Sequence, residues 1–294
     1  MKRPAPTARP TAWWLSALKR RAERQHDDVY PDKAPLRFDS EEQRRAAQKF
    51  FNAAFRAEES GIRQAHELAD DVAAWDPELA EVLRLYGNEE GWHRELLSEF
   101  LTELGGRVEP MGRVTRTFYR VYARAKRMDT IVLTNLMFET IGSTTYRMAL
   151  GNVTEPAARR MLTILTRDEA FHVPLNVHFL RRVLERDDSG KRRLRRLYRL
   201  LFVALILLPL ASRPKAKDFD GIDTVPLMRA YALELGRLFA REHDFELTPP
   251  RLLLRLLGIT PTELLRGAAT SPTSVEAAEL AVDRENVTVT VTAL

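Results

Sequence analysis

Glu90-Gly-Trp-His93 and Glu169-Ala-Phe-His172 each place a carboxylate three residues before an imidazole. On a helix, positions i and i+3 share one side, so each pair offers an oxygen and a nitrogen ligand to one metal ion. The bare pattern says little. Glu23-Arg-Gln-His26 has the same spacing in a polar stretch without an apolar frame, and is set aside as coincidence. The other two motifs interrupt stripes that should be dry. One stripe reads Leu79, Leu83, Tyr86, Glu90, His93, Leu97, Phe100, Leu104, and the other reads Leu162, Leu165, Glu169, His172, Asn176, Phe179, Val183. A third stripe, Val132, Leu136, Glu139, Ser143, Tyr146, Leu150, carries a single carboxylate. A fourth carries Glu59 in the frame Phe51, Phe55, Glu59, Ile62, His66, Ala69, or Glu58 in the equally regular frame Phe51, Ala54, Glu58, Ile62, Ala65.

The spacing repeats. Glu59 and Glu90 are 31 residues apart and Glu139 and Glu169 are 30 apart, so a helix pair is used twice. Four carboxylates on one buried layer cannot all stay ionised without cations, because each costs several kcal/mol to desolvate. Two divalent ions cancel the charge. The chain has no cysteine, which excludes disulfides, zinc–thiolate sites and iron–sulfur clusters. Carboxylate and imidazole ligands suit iron or manganese, as an Fe/Fe or mixed Mn/Fe pair.

The set Glu59, Glu90-x-x-His93, Glu139, Glu169-x-x-His172 resembles the ferritin-like di-iron carboxylate superfamily over roughly residues 45–185. The run Glu59-Ser-Gly-Ile-Arg-Gln-Ala-His66 is similar to the first helices of rubrerythrins and demethoxyubiquinone hydroxylases, and on that likeness Glu59 is taken as the ligand. The resemblance implies an all-α, antiparallel four-helix bundle with one long crossover. It implies that Glu89 and Asp168 accept the histidine N–H groups, and that Ser143 delivers protons as a catalytic hydroxyl. His66 and Tyr146 are placed in layers next to the metals.

The elements that must position these residues follow from caps and breakers. Ser40 and Gln43 open a helix over 40–73 that ends at Trp75-Asp76-Pro77. Further helices run over 78–104, 129–150 and 154–186, joined across 107–128 by a segment holding a basic helix near 115–127. Residues 1–39 form a basic, Pro-rich arm. Residues 40–186 form the bundle, 187–267 a helical extension, and 268–294 a tail, disordered or a stray strand, without an assigned role.

With 30% charged residues and a formal net charge of +5, the chain reads as a globular protein with a mildly basic surface. No secretory signal stands out. The longest apolar run, Leu200–Ala211, is short of the ~20 residues of a membrane span, so the chain is expected in the cytoplasm or at a membrane surface. Residues 191–212, basic then apolar, and the Trp13-Trp14 arm have the pattern of peripheral membrane anchors. The expected activity is an oxygen-activating oxidase or hydroxylase acting on a small apolar substrate, with O2 as co-substrate and electrons from a separate ferredoxin or reductase. Phe51, Phe55, Trp92, Phe138 and Phe171 are candidates to enclose that substrate. The alternatives are a ferroxidase or peroxide scavenger, a tRNA-hydroxylating enzyme using the basic surface, and a metal-free structural bundle that binds membranes. A homodimer is among the expected assemblies.

Overall fold

The computed structural model describes residues 8–24, 36–122, 125–186, 191–212, 216–270 and 274–284. Every regular element among them is helical. The bundle consists of α2 (Glu41–Ala73), α3 (Pro77–Glu103), α5 (Met128–Asn152) and α6 (Pro156–Arg186). Helices α2 and α3 form one hairpin and α5 and α6 the other. The crossover between them contains α4 (Arg113–Tyr122).

The breakers act as their chemistry requires. The Ser40 hydroxyl accepts the Gln43 N–H at 3.1 Å, while the Gln43 side chain accepts the Asp39 N–H at 2.8 Å and ties down the chain ahead of α2. Asp76 caps α3 by accepting the Leu79 N–H at 3.0 Å, with Pro77 in the first turn where its missing donor costs nothing. At the other end Gly105 takes φ +69°, and the N–H groups of Gly105 and Gly106 close back on Thr102 and Leu101. That left-handed turn is open to glycine at no steric cost and stops α3 before the crossover. Glu155 caps α6 through the Ala158 N–H at 2.7 Å.

The remaining helices wrap this bundle. Helix α7 (Lys191–Ser212) packs on α5 and on α9 (Thr224–Arg241), and α8 (Lys217–Asp220) packs on α2. Beyond them lie α10 (Arg251–Leu256), α11 (Pro261–Thr270) and α12 (Ser274–Arg284). Tyr198, Phe202, Leu205 and Ile206 of α7 are buried, while Leu200, Val203, Leu207 and Leu210 are exposed. No helix among the described residues is long and apolar enough to cross a membrane.

Two expectations are corrected here. Residues 11–24 of the supposed arm form α1 (Thr11–Arg24), which packs on α3 with Trp14, Ala17 and Leu18 buried. Trp14 is 1% exposed and lies against Phe171 and His178, so the apolar face read as a membrane anchor is spent on the bundle. Within the supposed tail, α12 packs on α6 through Val275, Ala278 and Ala281, small apolar residues three apart along one face. The Val287–Thr292 alternation lies outside the described residues.

Candidate metal centre

At mid-height of the bundle each of the four helices turns a carboxylate inward. Glu58, Glu90, Glu169, His93 and His172 are 3% exposed or less, and Glu139 is half-buried. His172 Nδ1 lies 3.1 Å from Glu90 Oε1 and 3.9 Å from Glu169 Oε2, and His93 Nδ1 lies 3.5 Å from Glu58 Oε2. Ligand atoms of Glu90, His93 and His172 lie within 4.8 Å of one another, as do those of Glu139, Glu169 and His172.

Glu59 is not part of this cluster. It sits on the outer face of α2, 43% exposed, and pairs with Arg56 at 2.7 Å. One residue of helix is about 100° of rotation, and the buried stripe of α2 runs Ala47, Phe51, Ala54, Phe55, Glu58, Ala65, which puts Glu58 on the inward face. Gly61, one turn beyond Glu58, makes room for the site: a Cβ there would lie 3.1 Å from Glu90 Oε2. His66 is exposed and is likewise removed from the metal layer, because the same rotation carries it to solvent. Ser143 is half-buried, and among the described residues it makes no hydrogen bond to the cluster.

Glu89, Asp168 and Tyr146 lie against the cluster. His93 Nε2 meets Asp168 Oδ2 at 2.9 Å, and His172 Nε2 meets Glu89 Oε2 at 2.9 Å. Each helix thus supplies the carboxylate that holds the other helix's histidine. That arrangement fixes the tautomer, because Nε2 donates outward and Nδ1 is left to face the centre. Tyr146 donates to Glu58 Oε1 at 3.4 Å. Tyr86 was read only as a stripe residue, yet it donates to Glu139 Oε1 at 2.7 Å and packs edge-on against His172.

The electrostatics are those of a site built for cations. Burial, then the Glu58 charge, pushes Glu90 up to about 8. Burial raises Glu139, with the Glu90 charge adding to it, and raises Glu169 well above the carboxylate range, with Glu139 adding to it. Burial alone would raise Glu58 and lower the histidines. Contacts with Glu90 and His93 pull Glu58 below its ordinary value instead. The Glu90 charge and Glu89 lift His172 to about 10, and Asp168 and Glu58 lift His93 well above its usual range.

Glu58 Oε2, Glu90 Oε1, Glu169 Oε2, His93 Nδ1 and His172 Nδ1 are buried and make no hydrogen bond among the described residues. Leaving one such group unsatisfied costs about 1–3 kcal/mol, so five of them facing the bundle interior mark a metal-binding cluster. Two divalent ions held by these atoms satisfy them, and the all-oxygen-and-nitrogen set fits iron or manganese.

Of the five aromatic candidates, Phe51 packs against Phe100 and Phe219 in the core, and Phe171 lies beneath Trp14 and the Arg21 guanidinium. Neither borders an opening. Phe55 is buried on α2, while Trp92 and Phe138 are half-buried. Phe138, next to Glu139, is covered by Tyr119 of α4, with ring centroids 6.1 Å apart.

Comparison with curated proteins gives no match. Among solved structures, the chain is similar to a mutant R2-like ligand-binding oxidase with an aerobically reconstituted Mn/Fe cofactor. The TM-score is 0.48 at 13% identity, over 94% of this chain and 93% of that one. Residues 49–175 match the Rubrerythrin family model, and that stretch holds all four inward carboxylates and both Glu-x-x-His pairs.

Proposed function

We propose that this protein is a non-haem di-metal oxidoreductase, with an Fe/Fe or Mn/Fe pair, that uses O2 to oxidise or hydroxylate a small apolar organic molecule. The five unsatisfied, inward-facing ligand atoms carry the reading. Glu58, Glu90, His93, Glu139, Glu169 and His172 would hold the two ions, which supply Lewis acidity and the electrons that reduce O2. The chain's own residues orient and enclose. Tyr86 holds the Glu139 carboxylate by its phenol hydrogen bond, and Tyr146 does the same for Glu58. Leu136, Leu165, Phe171 and Leu175 are buried around the layer and keep it dry.

Access to the pair fits the side of Glu139, the least buried of the ligands, beside Phe138 and Tyr119. Tyr119 lies close enough for the Glu58 and Glu139 charges, after burial, to raise its phenol further. The stacked Phe138 and Tyr119 rings beside Glu139 favour an apolar organic substrate over a hydrated ion, which separates this reading from a ferroxidase. Without cysteine the chain has no thiolate for a cluster of its own, so electrons are assigned to a separate ferredoxin or reductase.

The test is metal content and oxygen use together. Protein expressed with iron should hold about two metal ions per chain, and Glu169→Ala should lose them. The reduced wild type should consume O2 faster when small apolar compounds are present. Metal-free wild type after anaerobic Fe(II) reconstitution overturns the reading. Sustained turnover of excess Fe(II) without any organic substrate would establish the ferroxidase instead.

A further inference from the structure

Arg21 lies in the last turn of α1, far in sequence from the metal ligands, and is 7% exposed. Its Nε donates to Glu89 Oε1 at 2.7 Å and its Nη2 to Asp168 Oδ1 at 3.0 Å. The other oxygen of each carboxylate holds a histidine: Glu89 Oε2 holds His172, and Asp168 Oδ2 holds His93. One guanidinium therefore stands behind both imidazoles. Its Cζ lies 4.6 Å from the Phe171 ring centroid, and α1 is seated by Trp14 on Phe171 and His178 and by the Thr11 hydroxyl against His178 Nε2 at 3.2 Å.

Resting on the metal reading above, we propose that Arg21 is a positioning residue that sets both histidine ligands together, so that docking of α1 completes the metal centre. The geometry requires arginine. Its planar fork presents N–H groups in fixed directions to two acceptors at once, whereas a lysine ammonium on a flexible stem cannot fix both. Two buried carboxylates facing each other also need a cation between them, and Arg21 is that cation. The supports are unequal. Asp168 also receives Arg167, at 2.8 and 3.0 Å, so it keeps a guanidinium when Arg21 is gone. The orientation of His172, through Glu89, is therefore the more dependent on Arg21.

The test uses the full-length protein, stripped of metal and titrated with Co(II), for wild type, Arg21→Ala, Arg21→Lys and the exposed neighbour Arg20→Ala. Two readouts are taken: Co(II) affinity, and the paramagnetically shifted NMR signals of the histidine ring N–H protons. Loss of an outer partner of a metal-bound histidine typically costs 10–100-fold in affinity. Arg21→Ala should weaken Co(II) by roughly tenfold or more, and both ring N–H signals should shift, His172's further. Arg21→Lys should fall between, and remains informative if the alanine variant does not fold. Arg20→Ala should match wild type. If wild type binds Co(II) and both Arg21 variants keep affinity within about twofold with unmoved N–H signals, the role of Arg21 is refuted and the metal reading stands. If wild type binds no Co(II), both fall.

Discussion

Loading the centre with metal should release protons in a number set by the site's own electrostatics. Ligands bind metal in their deprotonated form. Glu90 is held up to about 8, burial being the larger cause and the Glu58 charge the next, and His172 is lifted to about 10. At pH 7 this contacting pair holds protons that the ions must displace, so these two groups alone surrender about one to two protons per pair of ions. Protons compete with metal, so affinity rises with pH. The overall two-ion constant should climb at least about tenfold per pH unit between pH 6.5 and 7.5, because the raised Glu139, Glu169 and His93 add to these two groups. His178 contributes nothing, because burial and then the Arg182 and Arg181 charges hold it neutral, down at about 3. The assay is calorimetric titration of metal-free protein with Mn(II) in buffers of different ionisation heat at pH 6.5, 7 and 7.5. A release below one proton per two ions at pH 7, or an affinity flat across that range, would refute the argument that these buried groups are the ligands.

Three further outcomes follow from named contacts. Glu58→Gln should take the metal content from about two ions per chain to one or fewer, whereas Glu59→Gln should change neither metal content nor stability beyond about 0.5 kcal/mol, because its pair with Arg56 is exposed; metal analysis and denaturant unfolding check both. Gly61→Ala should gain up to about 1 kcal/mol of helix stability in the metal-free protein while weakening metal binding, since its Cβ would press on Glu90 Oε2 at 3.1 Å; equal affinity in the variant would show that Glu90 can move aside freely. In the metal-free protein the raised Glu90 favours folding most below the unfolded value of 4.5, and that contribution is lost as pH rises through about 8. The melting temperature of stripped protein should therefore fall across that window and recover on adding metal.

The sequence made most of the centre legible, for a physical reason. Glu90, His93, Glu139, Glu169 and His172 interrupt apolar stripes, and a charged residue on a dry face stands out against helical periodicity alone. Glu58 and Glu59 were inseparable on that criterion because Phe51 and Ile62 fit either frame. Only the packing of α2 against α3, which places Gly61 on Glu90, fixes the rotation. Trp14 and Leu18 gave a strong amphipathic signal, but amphipathicity says that a face is buried and not against what. A bilayer and the side of a bundle leave the same trace in sequence. Arg21 could not be found this way at all. Its meaning lies in contacts with Glu89 and Asp168, across 68 and 147 residues of chain, that no local pattern records.

The uneven exposure of the ligands has a kinetic consequence. Glu90, His93 and His172 are buried on the side where α1 docks, while Glu139, half-buried beside Phe138 and Tyr119, is the least covered ligand. A chelator or a small anion such as azide therefore meets the Glu139 carboxylate first. The ion nearer Glu139 should exchange ahead of the one nearer His93. Removal of metal should then be biphasic, with a half-loaded form that persists between the two phases. In a mixed-metal preparation, the order of addition, and not only the relative affinities, would decide which element occupies which position.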